Sequence, residues 1–176
     1  MNYRVTRRSV GKCFLSTIVV TAESRNTVAA ERLAEPESKP ILTISGRIEV
    51  FNKNRVAEFD RAMLEALGTD EFVTMTPWSN VPVRFEGVRM ARLMEAVGST
   101  GESVTAIALN DYSTDIPITD FQIYGTIIAL KRDGNYMSVR DKGPLFIVYP
   151  YDSSPELRHQ RFYSRSAWQV SKLVVK

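Results

Sequence analysis

The chain contains one cysteine, Cys13, and one histidine, His159, in 176 residues. A lone thiol cannot form a disulfide within the chain. Three or four Cys and His ligands, as a structural zinc site needs, are not available either. The sequence also lacks H-E-x-x-H, G-x-S-x-G and a phosphate-gripping glycine loop. No apolar run approaches the ~18–20 residues that span a bilayer as a helix. A Ser-His-Asp arrangement would have to use His159, which sits in the charged stretch Glu156–Arg161 and reads as a solvated loop residue. Two carboxylates could still do acid–base work, but nothing singles out a pair. No residue is assigned a catalytic or metal-ligating role, and the inventory points to binding rather than to an enzyme.

Charge is unevenly placed. The chain carries 23 basic and 20 acidic residues. Four of the basic ones, Arg4, Arg7, Arg8 and Lys12, precede the first acid, Glu23. A mostly apolar run, Cys13–Ala22, follows them and ends Val20-Thr21-Ala22. This order matches a secretory signal over residues 1–22, and Thr6–Lys12 resembles a twin-arginine signal. A buried N-terminal strand is the other reading of the run. Lys12 stands where a lipoprotein signal requires a small residue, so Cys13 is not read as a lipidation site. The remaining residues hold 19 basic and 20 acidic side chains. The mature protein therefore carries no basic excess for nucleic acid, and its expected location is the periplasm.

Residues 23–39 are polar and read as a flexible arm, and the domain is expected over residues 41–176. Ile41–Val50 predicts a strand bent at Gly46. A helix is expected over Arg55–Leu67, capped by Asn52 or Asn54 and ended by Gly68. Phe72–Thr76 and Val83–Phe85 read as short extended pieces, and Val88–Val97 as a second helix. Ser103–Leu109, Gly125–Lys131, Tyr136–Val139, Leu145–Tyr149 and Ala167–Val175 read as strands. Arg132–Asn135 supplies a hairpin turn, and Ser153–Gln160 reads as a polar loop or short helix. Many strands and two helices predict an α+β fold: a mixed, barrel-like sheet with a few helices packed on it.

Polar and aromatic residues at strand ends are the candidate site. Trp78, after Thr76-Pro77, offers an indole face for stacking a heterocycle, or else a lid on the core. Asn110, Asp111 and Tyr112 place an amide, a carboxylate and an amphipathic ring together, although turns alone favour such residues. Arg165 and Trp168 precede the last strand, either as part of a site or as a surface stacked pair.

Five segments resemble the sulfite-oxidase-type molybdopterin-binding fold: Thr76–Asn80 (TPWSN), Val83–Met94 (VRFEGVRMARLM), Ala108–Asp120 (ALNDYSTDIPITD), Arg140–Asp152 (RDKGPLFIVYPYD) and Arg165–Val170 (RSAWQV). The resemblance covers residues 41–176. In the enzymes of that family a cysteine thiolate holds molybdenum in the region where this chain has Thr76-Pro77-Trp78-Ser79, so the soft ligand is missing. The chain is thus more similar to the small exported branch, the periplasmic pterin-binding proteins that regulate membrane-bound diguanylate cyclases and phosphodiesterases. That resemblance implies a reduced, molybdenum-free pterin as ligand and a cyclic-di-GMP enzyme as signalling partner. Within it, Trp78 or Trp168 would stack the bicycle, Asn110 and Asp111 would take its amino edge, Arg165 its acceptors, and Tyr112 would wall the site or bind the hydroxyls of the pterin side chain. Two alternatives stay open: a molybdopterin-dependent oxidoreductase with atypical ligation, and a protein-interaction module of the same fold.

Overall fold

A computed structural model describes Met1 and residues 33–176. Residues 2–32, where an export signal and the first part of an arm are expected, lie outside the described residues. Sheet one has the order β2-β1-β10-β5-β6, formed by β1 (Leu42–Gly46), β2 (Ala57–Phe59), β5 (Ser103–Ala108), β6 (Ser113–Pro117) and β10 (Val170–Val175). In sheet two, β3 (Asp70–Thr74), β4 (Val83–Arg89) and β7 (Ile127–Arg132) pair in that order. β8 (Asn135–Tyr136) and β9 (Phe146–Val148) both pair with β7. Among the described strands only β1 and β10 run parallel. The helices are α1 (Arg61–Ala66), α2 (Met90–Ala96), α3 (Ile118–Tyr124) and α4 (Gln160–Arg165).

The architecture is α+β, with two open sheets in place of the barrel-like core expected from the sequence. The end strands of sheet one stop short of pairing with each other. β2 is three residues long and gives way at Asp60 to α1, and β6 runs directly into α3. One hydrophobic core nevertheless serves both sheets, joining Leu42, Ile44 and Leu173 to Val88, Ile128 and Ile147. Four successive residues of β7, Ile127–Leu130, are buried, so this strand has no wet face. Gly46 ends β1 at φ +93°, where a Cβ would collide with the carbonyl of Val175. The bend read from that glycine is therefore a close approach of two backbones.

The helix expected over 55–67 is shorter and starts later. Asn54 and Arg55 both have positive φ, +44° and +63°, as the central pair of a tight hairpin turn requires. The turn folds β2 back onto β1. Asn52 clamps it, accepting from the Glu58 N–H and donating to the Glu58 carbonyl, each at 2.9 Å. The helix cap is Asp60, which accepts from the Met63 N–H at 2.9 Å. Val56, Phe59 and Met63 imitate a helical period, but Ala57 and Phe59 face inward on either side of an outward Glu58, the period of a strand. The same Asp60 carboxylate takes the backbone N–H groups of Glu37 and Ser38. The last residues of the arm are thereby tied to the domain.

Candidate functional site

The loop joining β3 to β4, the β5–β6 turn, α4 and the residues between α4 and β10 converge on a cavity of about 330 Å³. That is within the usual size range of small-molecule sites, ~300–1,000 Å³. Its walls are Trp78 and Trp168, whose rings stand at 86° with centroids 5.2 Å apart. Trp78 also meets Phe146 and Tyr163 edge-on at 5.8 and 6.4 Å. Such T-shaped contacts hold each indole in one orientation, adding ~0.5–1.5 kcal/mol per pair beyond area burial. Both tryptophans are half-buried. A bridge between Phe146 and Trp168 brings the end of sheet one against β9.

Lys142 packs on the tryptophan pair without lining the cavity. Its Nζ lies 3.8 Å from the Trp168 ring centroid and 5.4 Å from that of Trp78. Burial, and then the charge of Arg132, push the Lys142 ammonium below its ordinary pKa. The contact is a cation–π pair, the form in which a partly desolvated ammonium finds compensation on an aromatic face.

The polar lining is neutral. Asn110, Tyr112, Gln160, Tyr163, Ser164 and Ser166 contribute amides and hydroxyls, and no Asp, Glu, His, Lys or Arg of the described residues joins them. Asn110 Oδ1 accepts from the Tyr112 N–H at 3.2 Å, which turns the chain. The Tyr112 hydroxyl donates to the Ser164 carbonyl at 2.8 Å and ties the β5–β6 turn to α4. Ser166 is buried, shares a short hydrogen bond with the Tyr151 hydroxyl and donates to the Phe162 carbonyl at 2.9 Å. Burial raises the Tyr151 phenol well above its ordinary value, so it remains a hydroxyl.

Four of the six residues chosen from the sequence line the cavity: Trp78, Asn110, Tyr112 and Trp168. Two do not. Asp111 adopts φ +63° at the tip of the turn and is exposed. Arg165 turns away to Asp120, its Nη1 lying 2.8 Å from Oδ2. The same oxygen accepts from the Tyr149 hydroxyl at 2.8 Å. Burial, and next the charge on Asp120, hold that phenol protonated far above its ordinary pKa. Arg165 therefore closes a buried polar network at the end of α4.

Gln160, Tyr163, Ser164 and Ser166 are additions from α4 and its C-terminal end. Six residues are too few for a helical period to show in sequence. The N-cap is His159, whose Nδ1 accepts from the Arg161 N–H at 3.3 Å, and histidine is a weak start signal. Among the described residues no group of three or more His, Cys, Asp or Glu side chains is placed to hold a metal ion. No protein-family model matches this sequence, and no curated protein matches it significantly.

Proposed function

We propose that the protein is a non-catalytic binding protein for a pterin, with the sulfite-oxidase-type fold that its motifs resemble. The observation that carries this reading is the crossed tryptophan pair facing a neutral, hydrogen-bonding rim. A pterin is a flat bicycle with a donor edge and acceptor atoms. An indole face supplies stacking, worth ~1–3 kcal/mol per base in comparable sites. Among the described residues Asn110 Nδ2 and Gln160 Oε1 make no hydrogen bond and can donate and accept, whereas the Ser164 hydroxyl already donates to the Gln160 backbone carbonyl at 3.0 Å. An uncharged lining suits an uncharged ring, since an ionised ligand would lose hydration without gaining a counter-charge.

The loop at residues 76–79 does not fit molybdenum. It presents two hydroxyls in place of a thiolate, and both are engaged: Thr76 Oγ1 accepts from the Trp78 N–H at 3.3 Å, and Ser79 Oγ donates to the Val81 carbonyl at 2.7 Å. The bound species in this reading is the metal-free pterin. The N-terminal signal supports a periplasmic location, and the family resemblance supports a membrane-bound cyclic-di-GMP enzyme as the receptor of the loaded protein.

Titrating the protein with oxidised and tetrahydro pterins, read by tryptophan quenching and calorimetry, tests the proposal. Trp78→Ala and Trp168→Ala should each weaken binding about tenfold or more. No binding of either redox form up to about millimolar concentration, or affinity untouched by both substitutions, would overturn it.

A further inference from the structure

A second cavity, of about 570 Å³, lies between α2 and α3. One side is apolar, with Ile118 half-buried and Met94 and Phe121 showing only their edges, and the other carries Arg89 and Arg92. The two arginines share a single carboxylate. Arg89 Nε and Arg92 Nη1 each stand 3.3 Å from Asp70, one at either oxygen. Neither approach is a well-formed hydrogen bond, and Asp70 Oδ2 is buried without one. Arg92 also donates to the Gly68 carbonyl at 2.9 Å, and Arg89 has no polar partner other than Asp70 among the described residues. A guanidinium carries five N–H donors, so most of these are unspent.

The orientation of Arg89 is set by packing. Gly125, at φ +64°, ends α3, and a Cβ there would collide with Arg89 Nη1. Arg89 thus brings its Nη1 end against the glycine, at the edge of the cavity. The buried Ser99 hydroxyl, also among the lining residues, has no hydrogen-bond partner in the described structure. Glu95 shares the rim and Asp70 stands between the two guanidiniums; like Glu95, Arg89 and Arg92 are partly open to water, which screens all three. Two planar forks with spare donors, beside a Met-Ile-Phe wall, match an oxyanion attached to an apolar body.

We propose that this cavity binds a small organic anion, with its oxyanion head on Arg89 and Arg92 and its apolar body on Met94, Ile118 and Phe121. The site is separate from the tryptophan cavity and does not depend on the pterin reading. Calorimetric titration of the 176-residue chain with phenyl phosphate, inorganic phosphate and phenol tests it. Phenyl phosphate should bind at least about tenfold more tightly than either half alone, because each half meets only one wall. Arg89→Gln and Arg92→Gln should each weaken phenyl phosphate about tenfold or more, while Trp78→Ala leaves it unchanged. Benzoate run in parallel tells a carboxylate head from a phosphate head, and tight binding of either supports the site. Absence of binding by both compounds, inorganic phosphate binding as tightly as phenyl phosphate, or full affinity in both glutamine variants would overturn the proposal. Loss of phenyl phosphate binding in Trp78→Ala would reassign the ligand to the other cavity. Should Arg89→Gln fail to fold, Arg92→Gln carries the test, since that side chain is 44% exposed.

Discussion

Arg165→Met separates a structural arginine from a ligand-binding one. Asp120 is 7% exposed, and its Oδ2 accepts from both Arg165 and Tyr149 at 2.8 Å. Breaking a fully buried ion pair by removing one partner costs ~3–5 kcal/mol, because the other charge is left uncompensated. Arg165 is itself 25% exposed, so water already weakens the pair, and the Tyr149 hydrogen bond survives the change. The expected loss is therefore smaller, ~2–3 kcal/mol. For a chain of this size that lowers Tm by about 4–12 °C. Adding Asp120→Asn removes the stranded charge while keeping an acceptor for Tyr149, and should restore about half of the loss. Urea and thermal unfolding followed by tryptophan fluorescence measure both variants, and a pterin titration of each completes the set. A wild-type Tm combined with lost pterin affinity in Arg165→Met would instead assign the guanidinium to the ligand.

Three further outcomes are expected. Asp60→Ala should lower Tm and speed proteolysis around residues 33–40, because one carboxylate both caps α1 and holds the N–H groups of Glu37 and Ser38. Those hydrogen bonds, with that from Met63 first, lower the Asp60 pKa below its usual 3.8. Its contribution is thus complete above that value and lost as pH falls through the folded pKa, so Asp60→Asn should flatten the acid limb of a melting profile. Gly125→Ala should cost ~1–2 kcal/mol from its left-handed φ alone, with a further loss from the clash with Arg89, measurable as a lower urea midpoint. Tyr112→Phe removes an exposed hydrogen bond to Ser164, so stability should fall by less than ~1 kcal/mol while amide exchange in α4 accelerates; unchanged exchange would show that the tie does not hold the helix.

Where alternation or a cap is local, the sequence was readable. Met90, Leu93 and Met94 are buried on α2 as their spacing predicts, and Gly98 follows its end. The hairpin at Arg132–Asn135 forms, with β8 pairing back onto β7. The failures share a cause. β2 was hidden because three apolar positions fit two periods, and only the Asn52 clamp and two left-handed residues decide between them. β6 and α3, over Ser113–Tyr124, were missed because a half-exposed polar strand and a seven-residue helix carry little hydrophobic signal. The aromatic walls of the tryptophan cavity are legible in sequence, because aromatics have few other uses at a strand end. The role of Arg165 is not, since its partner Asp120 is 45 residues away.

Residue chemistry alone determined that the loop at residues 76–79 offers hydroxyls and no thiol, since the one cysteine stands at position 13. It also determined that tryptophans and amides stand at strand ends. Which of them meet was decided by tertiary structure. Side-chain direction depends on which strand pairs with which and on where the helices between them begin, and those choices rest on buried contacts between residues far apart in the chain. The same packing turned Arg165 from an expected ligand contact into the partner of a buried aspartate, and laid Arg89 along Gly125 at the edge of a cavity that no sequence motif announced.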